Sequence, residues 1–137
     1  MREIKHIVIH CSATPEGRDI DAQTIKDWHL KRGWRDIGYH YVIKLNGVIE
    51  DGRPEAQIGA GVQGYNKHAI HICYVGGCDT NMKAKDTRTF QQKSALNTLL
   101  KKLKQQYPNA EILGHRDFPN VNKACPSFDA KSEYKLL

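Results

Sequence analysis

The stretch Ile4-Lys5-His6-Ile7-Val8-Ile9-His10-Cys11, running into Ser12-Ala13-Thr14-Pro15, decides the fold class. Ile4, Ile7, Val8 and Ile9 make it β-branched and nearly continuous in apolar character, as a strand buried on both faces requires. Ser-Ala-Thr-Pro is a loop signal. The reading is a central strand that ends in a loop. In open α/β sheets ligands bind at the carboxyl ends of the strands, and His10 stands there.

Outward from this strand the pattern alternates. Asp21 to Gly33 reads as a helix with Ile25, Trp28 and His29 on one face and Gly33 able to end it. Gly38 to Leu45 and Val48 to Glu50 read as strands joined by Asn46-Gly47, a strong hairpin signal. Gly52, Pro54, Gly59, Gly61 and Gly64 mark a long irregular stretch, followed by a strand over Ala69 to Val75. Thr87 to Tyr107 is the clearest helix, with Leu96, Leu99, Leu100, Leu103 and Tyr107 on one stripe and a capping box at Thr89 and Gln92. Ala110 to Leu113 reads as a short strand running into Gly114-His115, and Pro126 to Leu137 as a last helix. The order β-α-β-β-β-α-β-α implies an α/β protein, a mixed central β-sheet flanked by helices.

The chain has 137 residues, 39% hydrophobic and 26% charged, which fits one soluble domain over residues 1–137 and excludes coiled coil, collagen-like and disordered classes. No apolar run approaches the roughly 20 residues that span a bilayer, so no membrane insertion is expected. Met1-Arg2-Glu3 leads straight into the first strand, so the expectation is a chain made in the cytoplasm without a signal peptide, and a monomer. A net charge of +6 suits a polyanionic partner (nucleic acid, anionic lipid or cell wall) and predicts salt-sensitive association. Lys101, Lys102 and Lys104 lack an interleaved aromatic platform, so nucleic acid is not expected.

Seven histidines and four cysteines carry the candidate chemistry. Cys73 and Cys78 read as structural thiols. His6 and His29 read as packed or surface residues; His40, His68 and His71 stand open between a site rim and structure. His10 and His115 each end an apolar strand. Cys125 precedes Pro126, a good first helical residue, and so reads as an N-cap thiol facing a helix dipole; position alone leaves a buried structural thiol equally open. Lys123 lies two residues earlier, on the same side of an extended segment. If His10, His115 and Cys125 converge, three nitrogen and sulfur donors with one open place fit catalytic rather than structural zinc.

Four blocks carry a resemblance: Ile7-Val8-Ile9-His10-Cys11-Ser12-Ala13-Thr14, Trp34-Arg35-Asp36-Ile37-Gly38-Tyr39-His40-Tyr41, Gly64-Tyr65-Asn66, and Lys123-Ala124-Cys125-Pro126-Ser127-Phe128-Asp129. They resemble the zinc-dependent N-acetylmuramoyl-L-alanine amidases of the peptidoglycan recognition protein superfamily, especially short phage lysins. The resemblance implies cleavage of the amide between N-acetylmuramic acid and L-alanine in peptidoglycan, with the cell wall met after release from the cytoplasm. It implies Zn2+ on His10, His115 and Cys125 and catalytic assistance from Tyr39 and Lys123; Asn66, in the Gly-Tyr-Asn block, and His68, beside the next strand, are the candidate substrate contacts. Many relatives carry a histidine in a Gly-x-His element where this chain has Gly59-Ala60-Gly61; His68 and His71 are the residues able to fill that gap. The alternative is a non-catalytic peptidoglycan-binding module. Members that only bind typically lack the cysteine ligand, which this chain keeps.

Overall fold

The computed structural model describes residues 2–137. Ten elements follow in order: β1 (His6–Cys11), β2 (Thr14–Pro15), α1 (Ala22–Lys31), β3 (Tyr41–Ile43), β4 (Ile49–Asp51), β5 (Ala69–Tyr74), β6 (Gly77–Cys78), α2 (Phe90–Gln106), β7 (Glu111–Gly114) and α3 (Ala130–Glu133). Short 3₁₀ turns lie at Asn66–His68 and His115–Asp117. The main sheet has the order β4-β3-β5-β1-β7. β1 runs parallel to both β5 and β7, β3 parallel to β5, and β4 antiparallel to β3. This is the mixed, helix-covered α/β sheet that the sequence pattern implies.

β1 is an interior strand, between β5 and β7, and both its faces are covered: Ile7 through Cys11 are all buried. Side chains alternate across it. Ile7, Ile9 and Cys11 join Ile70, Ile72, Tyr74 and the α2 leucines in the larger core. Val8 packs on the other face with Val62, Leu113 and Phe118, and His10 shares that face. Beside it, Ile25 of α1 packs with Ile20, Ile37, Val42, Cys73 and Val75. α2 buries Leu96, Leu99, Leu100 and Leu103, and the capping box at Thr89 and Gln92 is present. α1 starts where Asp21 accepts the Thr24 backbone N–H at 2.9 Å. The hairpin forms at Asn46-Gly47; Gly47 sits at φ +87°, and a Cβ there would meet the Gln91 carbonyl at 2.8 Å.

Two local expectations fail. β2 and β6 pair as a two-residue parallel ladder where only loops are read from the sequence, too short to leave a periodic signal. The second failure concerns Cys125. No helix starts at Pro126, and Cys125 is no N-cap: α3 spans only Ala130–Glu133, capped by Asp129. The preceding turn is held by tertiary bonds instead. Tyr74 Oη donates to the Pro126 carbonyl at 2.6 Å, and Ser127 Oγ donates to the Gly77 carbonyl at 2.8 Å. The turn therefore takes its shape from the sheet edge beneath it rather than from a helix.

One buried cation ties this C-terminal segment down. The Arg88 side chain is 1% exposed. It donates to both Asp86 oxygens, to both Glu133 oxygens and to Tyr134 Oη, all at 2.8–2.9 Å. Its guanidinium lies 3.4 Å from the centre of the Phe128 ring. The Arg88 hydrogen bond holds the Glu133 carboxyl below its ordinary range. Burial works against the Asp86 charge, but Arg88 outweighs it and Asp86 is lowered too. Depressed carboxyl pKa values add stability that is present above the unfolded values near 4 and lost as pH falls through the folded ones. Arg88→Met is expected to cost about 2 kcal/mol at neutral pH, below the usual buried-pair penalty because both carboxylates reach solvent. Urea unfolding at pH 7 and pH 3.5 checks it: the gap between wild type and variant should narrow in acid. Equal midpoints at pH 7 would mean that the cluster anchors nothing.

Candidate metal centre

His10 is the last but one residue of β1, His115 follows the last residue of β7, and Cys125 lies in a turn whose Sγ accepts the Cys11 backbone N–H at that strand end. β1 and β7 are parallel neighbours, so their carboxyl ends bring the two imidazoles together. Their ring centroids are 4.8 Å apart, near edge-to-face. Cys125 Sγ lies 3.9 Å from His10 Nδ1, and the three donor atoms all fall within 4.8 Å of one another. Tetrahedral zinc with Zn–N near 2.0–2.1 Å and Zn–S near 2.3 Å wants N and S about 3.6 Å apart. The donor set and spacing therefore fit one zinc ion with a place left for solvent or substrate. Among the described residues, this is the one such group of histidine, cysteine and acidic side chains.

The electrostatics suit a cation. Burial lowers His10 well below the ordinary imidazole range, helped by His71 and His115. Burial, then the Lys123 charge, lowers His115. Both rings are thus neutral near pH 7 and offer lone pairs. The hydrogen bond with the neighbouring Cys11 thiol, with burial, pushes the Cys125 thiol up. A bound cation would reverse that and favour the thiolate, and the Cys11 backbone N–H already donates to Cys125 Sγ at 3.2 Å.

A cleft of about 700 Å³ opens beside these residues. His29, Arg32, Trp34 and Tyr39 form one wall, residues 60–63 with Tyr65 and Asn66 another, and His115 with residues 119–123 the third. The Tyr39 ring sits 5.0 Å from the His10 ring. Burial pushes the Tyr39 hydroxyl well above its ordinary pKa, so it remains a hydrogen-bond donor. His29 stays a packed residue: its Nδ1 accepts the Gly38 N–H at 2.9 Å and fixes the backbone just before Tyr39. Lys123 is exposed and faces the same cleft as Tyr39 and His115.

The two substrate-contact expectations part company. Asn66 lines the cleft, but its Oδ1 is turned inward to the Gly61 and Val62 N–H groups and to His71, which leaves only its amide N–H2 for a ligand. His68 is not brought to the cleft: its Nδ1 donates to the Glu3 carbonyl at 2.9 Å, toward the chain start. A 3₁₀ turn over Asn66–His68 points the two side chains apart. The residue absent from the expected site is His71. It stands in β5 opposite Val8, two residues before Cys73, the partner of His10; it is fully buried and bonds to His10 Nε2 at 2.9 Å. Its signal in the sequence is a polar residue on the same strand face as Ala69 and Cys73.

Comparison with known proteins agrees with this geometry. The sequence profile of the N-acetylmuramoyl-L-alanine amidase family matches residues 1–128. The endolysin of Enterobacteria phage K11 is 41% identical over 128 residues, covering 93% of this chain and 83% of that protein. The endolysin of Escherichia phage T7 is 40% identical over 125 residues, covering 91% and 82%. Among solved structures, the N-acetylmuramoyl-L-alanine amidase LysC from Clostridium intestinale superposes with a TM-score of 0.81 at 29% identity, covering 96% of this chain and 82% of that one. A Drosophila PGRP-LB variant in complex with tracheal cytotoxin gives 0.79 at 26% identity, covering 99% and 82%.

Proposed function

The chain belongs to the N-acetylmuramoyl-L-alanine amidase family, and from that premise we propose that His10, His115 and Cys125 hold a zinc ion at which the amide between N-acetylmuramic acid and L-alanine is cut. Hydrolysis of peptidoglycan amides is the chain's reaction. The observation that carries the metal reading is the convergence of two neutral imidazoles and a thiol, from three distant segments, beside a cleft that also holds a tyrosine and a lysine.

Bound zinc supplies Lewis-acid chemistry, polarising a carbonyl and activating water. The protein supplies the rest. In the reaction the C–N bond breaks, the elements of water divide between the lactyl carbonyl carbon and the amine of L-alanine, and negative charge grows on the carbonyl oxygen. Tyr39, held protonated by burial, donates a hydrogen bond to that oxygen. The Lys123 ammonium, at the mouth of the same cleft, adds positive charge to it. The Asn66 amide N–H2 is free to meet the substrate. Muropeptides of peptidoglycan are the partner, and the +6 charge favours the polyanionic wall. No helix of the described residues is long and apolar enough to cross a membrane. The chain acts as one monomeric amidase domain over residues 1–137 that meets the wall after release.

The test is digestion of purified sacculi with and without a strong chelator, products read by mass. Free stem peptides beginning at L-alanine, with glycan strands intact, are expected; chelation should stop their release and added zinc restore it. Glycan fragments, or full release in chelator, would overturn the reading. A protein that binds sacculi and releases nothing would be a binding module.

A further inference from the structure

We propose that His71 is a positioning residue that fixes the tautomer of His10, presenting a bare Nδ1 to the metal, and that Asn66 sets His71 in turn. The inference rests on the reading of His10 as a metal ligand and deepens it.

The polarity of every bond in this chain is forced from one end. The Gly61 and Val62 backbone N–H groups point at Asn66 Oδ1 at 3.0 and 2.9 Å. A backbone N–H only donates, so the atom they meet is the amide oxygen, not the amide nitrogen. That oxygen only accepts, so His71 Nε2, 2.8 Å away, carries a proton and donates it. A neutral imidazole protonated at Nε2 is bare at Nδ1. His71 Nδ1 therefore accepts at 2.9 Å from His10 Nε2–H. His10, neutral and 1% exposed, is left with its lone pair on Nδ1, the nitrogen that faces Cys125 Sγ. The other tautomer of His10 would put a proton on the nitrogen that would hold the metal.

The rest of the neighbourhood holds His71 in place and leaves it no other task. Its backbone N–H donates to His40 Nδ1 at 3.0 Å, and its ring stacks on His40 with centroids 5.9 Å apart. Fully buried, it does not reach the cleft. Gly61 is part of the device. A Cβ there would lie 2.4 Å from His71 Nδ1 and 2.8 Å from His10 Nε2, inside the bond between them. The ring delivered from β5 fills the space that a side chain at position 61 would need. Partners that orient a metal-bound imidazole through its second nitrogen typically carry about 10–100-fold in metal affinity.

The experiment compares wild type, His71→Leu and His71→Gln. Zinc affinity is measured by competition with a chromophoric chelator, and the apo proteins by 15N NMR of the imidazole nitrogens. Gln keeps both functions, an oxygen to accept from His10 and an N–H2 to donate to Asn66; Leu keeps the volume and neither. Expected is a loss of about 10–100-fold in zinc affinity for Leu with most of it recovered in Gln. In the apo proteins, His10 should be the Nε2–H tautomer in wild type and His71→Gln, and a mixture in His71→Leu. Thermal melting separates misfolding from loss of orientation, and the Gln variant tests the idea if Leu does not fold. Equal zinc affinity in Leu and wild type, or a wild-type His10 protonated at Nδ1, overturns the proposal. A wild type that takes up no zinc, with the Nε2–H tautomer intact, overturns the metal reading instead.

Discussion

Cys125→Ala is expected to emerge from purification without zinc and to release no stem peptide from sacculi. The thiolate is the one anionic donor of the three, and removing it leaves two neutral imidazoles. Four-donor zinc sites bind with about 10–16 kcal/mol, so one donor carries about 2.5–4 kcal/mol, or roughly 10²–10³ in affinity. The adjacent Cys11 provides a sharp control. Cys11 donates its backbone N–H to Cys125, which alanine keeps, and Cys11→Ala removes only the thiol that pushes the Cys125 pKa up. Cys11→Ala should therefore retain the metal, whereas Cys125→Ala should not. Metal content by mass spectrometry with a circular-dichroism melt on each variant decides this. Stoichiometric zinc in Cys125→Ala would remove the thiol from the ligand set, and the helix-cap reading that first singled out Cys125 is already gone, since Asp129 caps α3.

Lys123→Ala should part binding from turnover. The side chain is exposed at the cleft and belongs to no ion pair among the described residues, so its loss should leave the fold and zinc content unchanged. Removing one donor aimed at a developing oxyanion typically costs about 10²–10³ in kcat. Because Lys123 is in contact with solvent, which weakens its field, the lower end, about 10²-fold, is expected. The fall should sit in kcat with KM nearly unchanged, the mark of an interaction made in the transition state. Wild-type kcat in a zinc-loaded Lys123→Ala protein would take Lys123 out of the chemistry. Tyr39→Phe is its companion. The Tyr39 hydroxyl is held protonated, so it acts as a donor and not as a phenolate base.

Much of this was open to reading in the chain itself. The apolar run of β1, the capping box of α2, the Asn46-Gly47 turn and the strand-end positions of His10 and His115 are local patterns. They are set by side-chain period, backbone sterics and caps within a few residues, so sequence alone determines them, and with them the sheet edge where a site must lie. The blocks around His10, Tyr39 and Cys125 added the family through resemblance.

What tertiary structure alone decided is where the remaining polar atoms point. His68 lies just before the start of β5 and His71 just inside it, and they look alike in sequence, yet one bonds toward Glu3 and the other locks onto His10, 61 residues away. Asn66 reads as a cleft residue, but its oxygen is claimed from within by two backbone donors. Cys125 reads as a helix cap, but bonds from Tyr74 and Ser127 shape its turn instead. Each outcome depends on hydrogen-bond partners that strand register and loop packing bring together, and buried polar groups take the partners that geometry gives them.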